Sequence, residues 1–409
     1  MNQNNNLLRI WYKKPAKDWQ TEALAVGNGY MGALIFGGVK RDKIHINEKT
    51  VWNGGPSQKI DYKYGNTNPA DTKEELDIIR KDLNALRKKL DDKSEYVFGF
   101  DGDSYQACGT DTKGEAMDWL NKLMGDLTGY EDPQDYANLY ISTDVSDEAK
   151  IENYVRDLDL RTALATVSYD YEGVHYVREY FNSYPDKILA IRLTASEKES
   201  IGISVGLEDC TGGTELSNVV DGDTITMRNA LLSNGLKTEA QVKVIPEGGS
   251  MTSDGTQICV EKADAVTLIL ACGTDYKMEL PSFRGEDPHY AVTKCINEAS
   301  EKGYEALKEA HIQDYSVLFS RMELGFDEEI PQIPTDELLQ KYRNMVEKMA
   351  VFFHLKKNRG QWRLSVISLV VTLQLQVPER ERFRQTFRVY GERNILSGVV
   401  ITTSILMCR

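Results

Sequence analysis

The sequence predicts a mainly β chain, a sandwich or barrel of antiparallel strands, with one inserted helix and a helical linker behind it. Three observations carry this. Residues 154–282 hold short runs of β-branched and aromatic residues separated by frequent turn signals, the mark of a sandwich or barrel rather than a parallel sheet. Residues 71–92 switch to helical spacing, with Leu76, Ile79, Leu83, Leu86 and Leu90 three or four apart. From about Tyr290 the period becomes helical again.

The elements follow in order. Gly27-Asn28-Gly29 is a turn signal, and Met31 to Val39 is a strand-like run carrying Gly32, Gly37 and Gly38. Residues 57–70 are polar and loop-like. Asp71 or Thr72 is the expected N-cap of the inserted helix, with Glu74 and Glu75 in its first turn. Thr166–Tyr171 and His175–Phe181 flank Glu172-Gly173, which predicts a hairpin. Strand-like runs follow at Ile188–Leu193, Ile201–Leu207, Thr224–Arg228, Thr238–Ile245 and Val266–Ala271. Ala291, Ile296, Ala299, Tyr304, Leu307 and Ile312 set the helical period of the linker over 285–321.

Apolar residues make up 41% of the 409, enough for a real core, and the net charge is −14. Such acidity argues against nucleic acid as a partner. The six cysteines form no CxxC pair and the five histidines (His45, His175, His289, His311, His354) no HExxH. Buried free thiols are therefore expected, with no metal and no cofactor. No basic leader with an apolar stretch opens the chain and no 18-residue apolar run occurs, so the expectation is no membrane and a cytoplasmic location. Residues 351–409 break the pattern, with ten Lys and Arg against three acids and no Asp or Ala. A basic interaction tail would show such a reversal, yet this one is rich in Leu, Val and Ile and lacks the polarity of a disordered arm.

Leu8 to Trp19 reads LRIWYKKPAKDW, Glu22 to Ala33 reads EALAVGNGYMGA, and Ile46 to Pro56 reads INEKTVWNGGP. Further on come Arg156 to Leu160, Tyr176 to Phe181, Gly273 to Tyr276, His311 to Tyr315 with Leu318 to Arg321, and Pro334 to Glu337. In this order, over about residues 8–343, the series closely resembles the N-terminal domain and linker of glycoside hydrolase family 95, the inverting α-L-fucosidases. The resemblance implies a large antiparallel β-sandwich (super-sandwich) over 1–282 and a helical linker over 283–343. A catalytic (α/α)6 barrel would then start at about 344. It implies a fucosylated glycan as substrate of a full-length relative. The family's chemistry lies in the barrel, where a glutamic acid protonates the leaving group and asparagines with an aspartate activate water across a gap of about 6.5–9.5 Å. None of those residues maps onto 1–350, so no catalytic, cofactor or metal residue is assigned.

The residues that could be read as a site have simpler readings. The glycines at 27, 29, 32, 37 and 38 suit positive-φ turns and close strand approach, which outweighs a phosphate cradle lacking GxGxxG. Glu22 and Glu48 could form an acid pair, but carboxylates in a glycine-turn region more often bind backbone amides. Asn47, Glu48 and Trp52 suit a structural or domain-facing patch. Trp11, Trp19 and Trp52 could stack on sugars, with core packing the simpler expectation. His311 and Asp314 share a helix face and suit a linker hydrogen-bond network.

At the barrel's expected start the sequence reads otherwise. Val370–Arg380, Phe383–Glu392 and Ser397–Cys408 can each be encoded so that a shifted frame spells family-like barrel segments: RYLTIASSRE, PANLQGVWG and WSGDYHFNINV. Residues 344–409 are thus expected to be an out-of-frame remnant of the barrel's start, leaving this chain truncated and inactive. A stand-alone carbohydrate-binding or interaction sandwich is the rival reading, and a basic-tailed regulatory protein a third.

Overall fold

The computed structural model describes residues 8–53, 133–213, 216–279, 282–321 and 332–353, with parts of 73–108. Two large antiparallel sheets dominate. The first holds nine strands in the order β1 (Arg9–Tyr12), β8 (Ile151–Asp159), β9 (Leu164–Tyr171), β10 (Val174–Ser183), β11 (Ile188–Ala195), β18 (Ala265–Thr274), β15 (Lys237–Glu247), β14 (Thr224–Ala230) and β13 (Ser217–Asp221). The second holds seven: β16 (Ser250–Ser253), β17 (Gln257–Ala263), β12 (Ile201–Asp209), β7 (Ala137–Thr143), β4 (Arg41–Glu48), β3 (Met31–Ile35) and β2 (Leu24–Gly27). A separate hairpin pairs β5 (Val97–Phe100) with β6 (Tyr105–Cys108). The mainly β sandwich expected from the sequence is the fold observed.

Alternation explains which residues enter the core. In β9 every second side chain is buried, and β12 repeats the pattern from Ile201 to Leu207. Their inward faces join Ile44 and Ile46 of β4 and Val242 and Val244 of β15 in one cluster between the sheets. The β9–β10 hairpin turns at Glu172 (φ 49°) and Gly173 (φ 87°), the two positive angles that match the twist of a tight hairpin.

Ala265–Ala271 of β18 is buried on both faces, and helices supply the second cover. Helix α1 (His289–Lys302) and helix α2 (Tyr304–Phe319) meet at Gly303 and lie on the outer face of the nine-stranded sheet. Val292, Ile296, Ala299, Tyr304 and Leu307 pack there on Phe181, Ile188, Ala190, Ile269 and Ala271. The predicted period was right and its phase partly wrong: Val292 and His311 are buried, whereas Ala291 is exposed and Ile312 only half-buried.

Helix α3 (Thr335–Phe353) starts against the edge strand β1. Thr335 Oγ1 accepts the Trp11 N–H at 3.0 Å, and Lys14 pairs with Asp336 at 3.1 Å. An edge amide that would otherwise lack a partner is thereby satisfied. Residues 73–74, 77–78, 80–81 and 84 are helical, within the inserted helix expected at 71–92. The rest of that helix and everything after Phe353 lie outside the described residues, and of the expected frame-shifted stretch over 344–409 only 344–353 is described, as the end of helix α3.

Candidate functional site: two ends of the sandwich

Segments far apart in sequence converge at the end of the sandwich where β4 finishes and β7 begins. Asn28, in the β2–β3 turn, is buried. Its Oδ1 accepts the Tyr30 and Met31 amides at 2.9 Å each, and its Nδ2 donates to Ser183 O at 2.9 Å and Asn182 Oδ1 at 3.2 Å. The turn of one sheet is thus tied to the end of β10 in the other. Two of its amides bind a side chain, and a phosphate cradle would need them free. Gly29 sits at φ 79°, where glycine carries no steric penalty.

Glu48 ends β4 and is 7% exposed. Its Oε2 takes the Thr50 amide at 2.7 Å and the Thr50 hydroxyl at 2.6 Å, and that hydroxyl touches Thr274 Oγ1 at the end of β18. Burial pushes the Glu48 carboxyl up from its ordinary value, and the Thr50 hydrogen bonds pull it back. Glu22 Oε2 accepts the Lys17 amide at 2.7 Å, with Lys14 3.7 Å from its other oxygen. Both carboxylates are engaged by nearby backbone, as their glycine-rich setting suggested, and neither is poised as an acid pair.

The tryptophans depart from the expectation of core packing. Trp19 is 41% exposed, and Trp11 and Trp52 are only half-buried. Arg9 lies over the Trp11 ring at 4.5 Å. Trp52 donates its indole N–H to Lys49 O at 2.7 Å, while its carbonyl accepts from Asn234 Nδ2 at 2.8 Å. Arg284 bonds Asn234 O at 2.8 Å and lies 3.7 Å from Asp275. Loops 49–53 and 231–236 and the stretches 275–279 and 282–285 are therefore laced together around Trp52, and Leu232 and Met278 stand exposed among them.

His311 is buried and lies 3.0 Å from Thr162 O through Nε2, with its ring stacked on Phe181 at 5.0 Å. Burial pushes its pKa down. It pins helix α2 to the sheet, in line with a linker network; Asp314 makes no hydrogen bond to it among the described residues. His289, at the start of α1, places Nδ1 2.8 Å from Oε1 of the fully buried Glu239. Gln241 Nε2 donates to the same oxygen at 2.6 Å, and Arg228 Nε stands 3.0 Å from Oε2. No group of histidines, cysteines and carboxylates among the described residues could hold a metal. Cys210, Cys259, Cys272 and Cys295 are free but half-buried rather than sealed in the core.

At the opposite end the sheets leave a cleft of about 250 Å³ between the end of β7, the β9–β10 hairpin and the start of β12. Tyr169 and Tyr176 stack in its wall with centroids 5.3 Å apart, and Asp144, Ser146 and Tyr171 also line it. The sequence signal for this site was the row of tyrosines on either side of Glu172-Gly173. In the sequence alone that row carries only strand propensity.

A family model described as the N-terminal domain of glycosyl hydrolase family 65 matches residues 10–279. "Probable alpha-fucosidase A" of Aspergillus niger is 27% identical over 81% of this chain and 40% of its own length. "Alpha-L-fucosidase 2" of Arabidopsis thaliana is 26% identical over 84% of this chain and 39% of its own length. "Probable alpha-fucosidase A" of Aspergillus oryzae is 26% identical over 77% and 41%. The chain thus spans about two fifths of the length of these curated relatives. Their names agree with the family-95 resemblance drawn from the motifs.

Proposed function

The chain belongs to the family of the glycosyl hydrolase family 65 N-terminal domain, and from that premise we propose that it is the sandwich portion of an α-L-fucosidase-like glycoside hydrolase. The observation that carries this is the match over residues 10–279 together with α-fucosidase relatives aligned over about four fifths of the chain. The complete enzyme would cleave terminal α-L-fucosyl linkages of glycans with inversion. We divide the chain into a sandwich over 1–282, a helical linker over 283–343 and a remnant over 344–409.

By itself this chain does not hydrolyse fucosides. An inverting hydrolase needs a protonated acid and a base facing each other across a water. The two carboxylates weighed for that work are engaged, Glu48 by Thr50 and Glu22 by Lys17, and the buried Glu239 is held by His289 and Gln241. The test is release of fucose from an α-1,2-fucosyl oligosaccharide by the purified 409-residue chain. Background-level release is expected, and turnover clearly above background overturns the reading. The tyrosine-lined cleft favours a second role, glycan binding without cleavage.

A further inference from the structure

We propose that the cleft at the β9–β10 hairpin end binds one neutral pyranose unit of a glycan, with the Asp144 carboxylate accepting its hydroxyls against a tyrosine wall. Asp144 follows β7 directly, and its carboxylate takes no hydrogen bond or ion pair from the described residues. Room for it is made by a missing side chain. A Cβ on Gly202, the second residue of β12, would stand 1.7 Å from Asp144 Oδ2. An acceptor-only group at the mouth of a cleft calls for donors, and vicinal hydroxyls of a sugar supply two together.

The walls fit the rest of such a ligand. Tyr176, half-buried, is backed by its cross-strand partner Tyr169, which is 2% exposed, at an interplanar angle of 16°, and the accessible part of the Tyr176 ring is suited to the apolar C–H face of a sugar. Tyr171 Oη lies 3.2 Å from Ser146 Oγ, and either can turn its proton outward. About 250 Å³ is below the roughly 300–1,000 Å³ of clefts that take drug-sized ligands, which fits one ring.

Charge narrows the class. Arg178 is the guanidinium that lines the cleft, and it is fully buried and already donates to Gly38 O, Val39 O, Asp42 and Tyr169. Among the described residues lining the cleft no cation is left to receive a uronate, and Asp144 would repel one. Glu172 adds no recognition, since it is paired with Lys150 at 2.8 Å.

The test is saturation-transfer NMR and titration of the 409-residue chain with methyl α-L-fucopyranoside, methyl β-D-galactopyranoside and D-glucuronate. Saturable binding of at least one neutral glycoside is expected. It should weaken by about tenfold or more in Asp144→Asn, which removes the charge-assisted bonds. Gly202→Ala, which displaces the carboxylate, should do the same. Glu261→Gln, on β17 outside the cleft, should bind as the parent does, and circular dichroism should match in all three. No saturable signal from any probe, undiminished binding in both cleft variants, or glucuronate bound as tightly as the neutral glycosides would each overturn the proposal. Binding without fucose release supports it and leaves the hydrolase reading to its own assay.

Discussion

Replacing Arg178 by Met should loosen the two sheets from each other, and by an amount that depends on pH. Arg178 on β10 reaches across the core to the β3–β4 hairpin. It donates to Gly38 O at 2.8 Å and Val39 O at 2.9 Å and pairs with Asp42 at 3.3 Å. Asp42 is fully buried; its Oδ2 also takes the Tyr180 hydroxyl at 2.5 Å, and its Oδ1 the Gly37 and Gly38 amides at 2.8 and 3.1 Å. Removing one partner of a buried ion pair strands the other charge, at a cost of about 3–5 kcal/mol. Arg178 borders the cleft, so water can reach part of the vacated space, which puts the expected loss near ~3 kcal/mol. Burial raises the Asp42 carboxyl above its ordinary value, and Arg178, Tyr180 and the two amides pull it back. Without Arg178 it rises further. A carboxyl raised in the folded state contributes stability at low pH that is lost as pH climbs through the folded value. The Met variant should therefore lose more at neutral pH than in mild acid, where a raised Asp42 carboxyl is more readily protonated. Urea midpoints with unchanged slope, followed by circular dichroism, read both quantities. A neutral-pH loss under ~1 kcal/mol would refute the clamp, and an equal loss at both pH values would refute the role given to Asp42.

Gly37→Ala should cost about 1–3 kcal/mol, because Gly37 sits at φ +72° and a Cβ would meet Arg156 Cδ and Tyr154 Oη at 2.6 Å. Gly173→Ala, at φ +87° with nothing within 4 Å, should cost only the backbone strain, about 1 kcal/mol; thermal melts of both variants check the order, and equal losses would show that the contacts at Gly37 are immaterial. Resequencing the codons of residues 343–370 should reveal a shift that restores the barrel frame, and an uninterrupted frame would end the idea of an out-of-frame remnant.

The hairpin over 164–183 was readable because alternation, β-branched content and a two-residue turn agreed. β18 was readable as an apolar run, and helices α1 and α2 explain why it needs no polar face. β4 gave a weaker signal. Asp42 occupies an inward position there, so the run Arg41-Asp42-Lys43 reads as a loop, although Ile44 and Ile46 resume the alternation. A buried ion pair breaks the local rule and repays the cost across the core. The cleft was not readable at all. Asp144, Tyr176 and Gly202 come from three separate strand ends: the pairing of β7 with β12 joins Asp144 to Gly202, and only the packing of one sheet on the other sets Tyr176 beside them. For the tryptophans hydrophobic size does not translate into depth. Trp11 and Trp52 instead spread over the surface, one under Arg9 and one anchored by its indole N–H, as large amphipathic rings can.

The division of labour between the two ends follows from where acceptor capacity is spent. Burial moves Glu48 in the direction a general acid needs. Yet an acid must reach the leaving-group oxygen, and Glu48 Oε2 already holds the Thr50 amide and hydroxyl in a residue 7% exposed. Freeing it would leave the Thr50 amide unsatisfied and loosen the joint with β18 at Thr274. Glu239 is more deeply committed: it fixes His289, and with it the first turn of helix α1, to β15. At this end, then, carboxylates hold loops and helices in register and supply geometry rather than protons. Asp144 at the other end is the reverse case, a carboxylate for which β12 has given up a side chain and which nothing described satisfies. Asp144 is exposed, so its oxygens are open to a partner that arrives from outside. That contrast is why the cleft, rather than the β4–β7 end, is the place proposed for the chain's recognition chemistry.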